Sequence, residues 1–101
     1  MTTRDDKNIN DAIADYNEAR KLRMYANNQV EAMREIYGRF RPDDDRCWPL
    51  QAALVCLKKM EEAVETTKET LDAAVAVKAA REKLEHAKRV YVNAVLDEIV
   101  A

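Results

Sequence analysis

The chain has no serine, one glycine, two prolines, one histidine and two cysteines in 101 residues. Each shortage excludes something. Without serine there is no serine nucleophile and no G-x-S-x-G turn, and no Cys–His spacing supplies a substitute. With Gly38 as the only glycine, no glycine-rich loop can cradle a phosphate. A di-iron bundle needs Glu-x-x-His motifs from two helices, and His86 stands alone. Glu82, one turn before it, and Glu85 beside it make at most half a metal site. Cys47 and Cys56 make no disulfide framework. On one helix they would lie about 13 Å apart along the axis, too far to bridge. They read as small buried hydrophobes in a reducing compartment. No apolar run approaches the roughly 18–20 residues that span a membrane. Met1–Lys7 is polar, is expected to fray, and has no h-region behind it, so no signal peptide is expected. Localisation is expected to be cytoplasmic. Aromatics are 6% of the chain, which suits close helix–helix packing better than a deep ligand cavity.

Helix formers are what remain. Leu50–Ala101 contains no Gly and no Pro and is dominated by Ala, Val, Leu, Glu and Lys. Two apolar runs cross it in steps of four and three. The first is Ala53, Leu57, Met60, Val64, Thr67, Leu71 and Ala74. The second is Val77, Ala80, Leu84, Ala87, Tyr91 and Ala94. Each spacing predicts a heptad seam facing a partner surface. The runs are out of phase at Ala74–Val77, which reads as a stammer or as the border between two helices. Thr66 and Glu69 have capping-box spacing within a Thr-rich stretch, so residues 66–72 are the candidate break. An uninterrupted helix is the favoured reading.

An earlier stripe runs Ile9, Ile13, Tyr16, Ala19, Leu22, Ala26, Val30, Met33, Tyr37 and Phe40, and predicts one amphipathic helix. Asp5, Asp6, Asn8, Asn10 and Asp11 are its candidate caps or first-turn acids, and Gly38 its C-terminal cap. Arg41–Pro49 reads as the linker. Pro42 disfavours helix at Arg41, and Pro49 suits the first turn of the next helix. Tyr37, Phe40 and Trp48 are expected to close that end as an aromatic cluster. The expected fold is therefore all-α: an elongated antiparallel hairpin with helix 1 over about 6–39, a linker over 40–48 and helix 2 over about 49–100. A three-helix bundle broken near 66–72 is the alternative.

Net charge is −2 overall and −2, +3, −4 and +1 over residues 1–16, 17–41, 42–72 and 73–101. No strongly basic segment exists, so nucleic acid is not favoured. Glu61, Glu62, Glu65, Glu69 and Asp72 form an acidic stripe that either is a solvated face, pairs with helix 1, or binds a basic partner. Asp43-Asp44-Asp45 lacks calcium-loop spacing and reads as a turn that supplies caps. Tyr16, Arg20, Arg23 and Tyr25, with Lys21, could hold a nucleotide or another anion. Tyr91, Val92, Val95, Leu96 and Ile99 cover more than one face of the last turns, which a two-helix hairpin cannot bury, and point to self-association as a dimer.

No enzyme, cofactor or metal is expected. Short, charged, stand-alone helical chains without catalytic motifs are often accessory factors, including those of bacterial viruses and mobile elements. The expectation is a coiled-coil interaction protein that inhibits or adapts a larger protein or nucleoprotein partner. An oligomeric anion-binding module is the alternative, and weak nucleic-acid binding by helix 1 a third reading.

Overall fold

The computed structural model describes residues 3–41 and 43–100. Met1, Thr2, Pro42 and Ala101 lie outside the described residues, and so does the expected role of Pro42 in ending helix 1. Two helices account for nearly all the rest: α1, Arg4–Tyr37, and α2, Trp48–Val100. They pack antiparallel as an all-α hairpin measuring 85 × 25 × 14 Å. Its radius of gyration is 24.4 Å, against about 13 Å for a compact domain of this length.

Helix α1 begins earlier than its acidic residues suggest. Thr3 is the N-cap: its hydroxyl accepts from the Asp6 N–H at 3.1 Å, and the Asp6 carboxylate accepts from the Thr3 N–H at 3.5 Å. This reciprocal box satisfies two orphan donors of the first turn. Arg4–Lys7 is therefore helical rather than frayed, and Asp5 and Asp6 act as first-turn acids. At the other end the Gly38 N–H donates to the Arg34 carbonyl. Gly38 keeps right-handed backbone angles, and what it supplies is room, because a Cβ there would collide with the Arg34 carbonyl oxygen.

Helix α2 runs 53 residues without a break. The three Thr do not turn the chain. Thr67 Oγ1 donates back to the carbonyls of Ala63 and Val64, and Thr70 Oγ1 to that of Thr66. These two hydroxyls are thus satisfied inside the helix, and the three-helix alternative does not form.

The α2 seam is the one expected, from Ala53 to Ala74, with Val64 buried at its centre. It then continues in step to Lys78, while Val77 turns away and is half exposed. The second apolar run is therefore a different face of the same helix rather than a stammer in one seam. The α1 side departs from the expected stripe. Ile13 and Leu22 are exposed, and Ala12 takes the place given to Ile13. Ala12, Ala19 and Ala26, at seven-residue intervals, are only 6–7% exposed, and Val30 is 1% exposed. Small residues once per heptad let the two backbones approach closely.

The connection is tighter than a loose linker. Asp44 caps a single 3₁₀ turn, Asp45–Cys47, and its carboxylate accepts from the Arg46 N–H at 2.9 Å. The Arg46 guanidinium grips the same carboxylate at 2.7 and 3.1 Å and lies 4.3 Å from the Phe40 ring centre. Asp43-Asp44-Asp45 thus acts through Asp44 as a cap. Cys47 is buried, its thiol 3.2 Å from the Arg41 carbonyl. Trp48 does not join the aromatic cluster: Tyr37 and Phe40 meet at 6.5 Å, while Trp48 is 68% exposed. Arg46 and Cys47 fill the space that a third ring would need. Cys56, expected to be buried, is exposed.

Two outcomes test this account. Ala19→Leu should overpack the seam and cost about 1–3 kcal/mol, while Ala14→Leu on the exposed face should change stability by less than about 0.5 kcal/mol. Thermal melts followed by circular dichroism separate them. The Arg46 side chain, with its N–H, holds the Asp44 carboxyl down at about 2. Because this lies below the unfolded range, the contribution is complete above about pH 4 and is lost as pH falls through about 2. Melts across that window should show Asp44→Asn losing less stability than the wild type. Equal losses would mean that the turn does not depend on the charge.

Candidate functional site

Among the described residues no group of three or more His, Cys, Asp or Glu side chains is placed to hold a metal ion. His86 is exposed, with Glu82 and Glu85, beside a shallow concavity where α1 ends against α2. That end is closed by ion pairs. Lys78 Nζ lies 2.6 Å from Asp6, and Arg81 lies 3.0 Å from Asp5. Hydrogen bonding from Lys78 and then from Thr3 holds the Asp6 carboxyl below the usual carboxylate range, and Asp6 in turn raises Lys78. The pairs join the two helices at this level, though exposed ion pairs of this kind contribute little to stability.

The anion cluster is not assembled as expected. Arg20, Lys21 and Arg23 share a shallow concavity with Asn17 and Met24, and the Arg20 guanidinium lies 5.6 Å from the Tyr16 ring centre. Tyr25 is elsewhere. At about 100° per residue, two positions beyond Arg23 carry it well around the helix, past the seam. There it lines an apolar groove of about 440 Å³ with Leu22, Met33, Pro49, Ala52 and Cys56. The sequence alone did not reveal this groove, since its two walls come from different helices on either side of the turn. The signal that could have found it is the exposed phase of Leu22 and Tyr25 against the small residues Ala52 and Ala53.

The acidic residues of α2 stand in solvent. Glu61, Glu62, Glu65, Glu69 and Asp72 are all exposed, and among the described residues none is ion-paired to Arg20, Lys21 or Arg23. The stripe faces away from α1 and is free to meet something else.

The largest uncovered surface is the end of α2. Helix α1 runs out opposite Lys78–Arg81, so every described residue from Arg81 onwards is exposed. At 1.5 Å per residue this overhang is about 30 Å long. Tyr91 is 71% and Ile99 74% exposed, and Val92, Val95 and Leu96 lie between them, also exposed. All five residues assigned to self-association thus stand uncovered within one chain. No described helix is long and apolar enough to cross a membrane. Compared with known protein families, with curated proteins and with solved structures, the chain finds no match.

The separation of Tyr25 from the basic residues gives an expectation for ligands. With Tyr25 turned away from Arg20 and Arg23, nucleotides at millimolar concentration should leave the melting temperature unchanged. A thermal-shift series with nucleoside mono-, di- and triphosphates checks this. A saturable shift of several degrees would restore the anion-binding reading.

Proposed function

We propose that this chain is a non-enzymatic helical interaction protein. It self-associates, as a dimer, and binds a larger protein or nucleoprotein partner that it inhibits or adapts. The observation that carries this reading is the overhang: a helix end with Val90, Tyr91, Val92, Leu96, Ile99 and Val100 half exposed or more, and no second element to cover it. Apolar surface of this extent on an isolated chain marks a site of association. The acidic stripe supplies the second element, an unpaired anionic face suited to a basic partner surface. The turn, seam and ion pairs all serve to hold these faces rigid. Such rigidity lowers the entropic cost of binding.

Glu61 and Glu65 lie well round from the second apolar run, so they report on the partner alone. In affinity capture from cells that make the protein, the wild type should retain a stoichiometric partner. Glu61→Lys/Glu65→Lys should reduce that recovery by roughly tenfold, about 1.4 kcal/mol. Equal recovery by both would remove the acidic face from the proposal, and no stoichiometric partner at all would overturn it.

A further inference from the structure

The second apolar run does not begin at Val77. Counted backwards in the same alternating steps it passes through Ala73, Thr70, Thr66 and Ala63. It then reaches Lys59, Cys56, Ala52 and Pro49. This is a second seam along the whole of α2, one residue behind the α1 seam and so about 100° around the helix. Its first residues, Pro49, Ala52 and Cys56, form the floor of the apolar groove. Its last are the exposed Leu84, Ala87, Tyr91 and Ala94 of the overhang. Such a stripe holds its facing where the helix winds with its heptads as a left-handed supercoil, so the groove and the overhang lie at opposite ends of one continuous seam.

From this geometry we infer that the chain forms an antiparallel dimer with a second copy of itself through this seam, the two-fold axis crossing α2 near residue 75. The inference deepens the reading above and rests on its self-association. A two-fold axis midway between two sites on a rigid helix brings them together twice, so each overhang covers the other copy's groove and the assembly closes. Ala73, Ala76 and Ala80 lie at the crossing, where small residues admit a second backbone. In heptad register Val77 opposes Ala73 of the second copy, Leu84 opposes Thr66, Ala87 opposes Ala63, and Ala94 opposes Cys56. Tyr91 then lies on the aliphatic stem of Lys59.

Three further observations fit this occupant. The first is charge. Residues 61–72 carry −4 and residues 78–89 carry +3. Antiparallel pairing sets these segments against each other, with Glu69 beside Lys83 on the flank of the seam, whereas parallel pairing would set −4 against −4. The second is handedness. When two antiparallel copies pair this way, the residue after each seam position on the overhang turns towards the other copy's α1. Those residues are Glu85 and Lys88 first and then, after positions 91, 94 and 98, Val92, Val95 and Ile99, and the apolar three meet the groove wall of Leu22, Tyr25 and Met33. This is why the tail is apolar on two faces. The third is area. The chain exposes 8364 Å², about 2,500 Å² more than a compact monomer of its mass. A stable interface needs about 800 Å² from each partner.

Light scattering across a concentration series should give twice the 11.6 kDa chain mass. Glu69→Lys and Lys83→Glu should each weaken the dimer by about tenfold or more, and the double variant should restore it, since every pair is then remade with its signs exchanged. Ala94→Cys should form an interchain disulfide with Cys56 on mild oxidation, and Cys56→Ala should abolish it. A monomer at every concentration, reversals that do not rescue one another, or no bridge between positions 94 and 56 would overturn the pairing. A chain that stays monomeric yet captures its partner overturns this pairing alone. A rescued dimer that captures nothing supports the pairing and overturns partner binding instead.

Discussion

The rest of the structure depends on a mismatch of length. Helix α2 has 53 residues and α1 has 34, and they share only the stretch from the turn to Lys78–Arg81. Below that line each helix buries the other's seam. Above it α2 continues without a partner. Nothing in α2 itself calls for a stop, since it holds no Gly, has Pro only in its first turn, and returns the Thr67 and Thr70 hydroxyls to its own carbonyls. Isolated helices are marginal in water, and most helical stability comes from packing. A helix that carries strong formers past the end of its own hairpin therefore asks for packing from outside the chain.

The closed end shows how few residues set the hairpin's direction. The Asp44 cap starts a 3₁₀ turn, Arg46 locks it and roofs Phe40, and Cys47 fills the gap between the helix ends. The open end is set by charge, with Asp5 and Asp6 against Arg81 and Lys78. Asp6 serves twice, in the N-terminal box and in the ion pair. This ties the start of α1 to one level of α2, so the length of the overhang follows from the same two contacts.

Much of this was legible in the sequence, and the failures share a cause. The Ala53–Ala74 seam was readable because its larger members are apolar and its steps are regular. On α1 the same regularity runs through Ala12, Ala19 and Ala26, but Ile13 and Leu22 are more hydrophobic and drew the stripe off its axis. Hydrophobicity identifies what could be buried, while spacing identifies what a straight partner helix can reach. The Thr3 cap was hidden because Asp, rather than Glu or Gln, stands at the third position. Trp48 misled for its size. The place at the turn is narrow and takes a thiol, while a guanidinium covers the ring that a tryptophan was expected to meet. The acidic stripe and the apolar tail were legible as faces, but a face does not name its partner. Tyr25 needed the structure, since only the hairpin brings Leu22 and Met33 alongside Pro49 and Cys56.

The apparent stammer at Ala74–Val77 is the point where these threads meet. Read as one seam, the sequence stumbles there. Read as two, each seam keeps its period and the helix carries both at once, one residue apart. The α1 seam is rich in Leu, Met and Val. The second is built mostly of small residues until Leu84, with Lys59 and Val77 as the exceptions, and on the overhang it adds Leu84 and Tyr91 between alanines. That gradient is what a helix needs if it packs inside its own hairpin at one end and against another body at the other. Small residues near the middle let a second helix cross closely, and large ones at the tip reach into whatever lies beyond. The tip carries its apolar residues beyond the reach of α1, and among the described residues none packs over them.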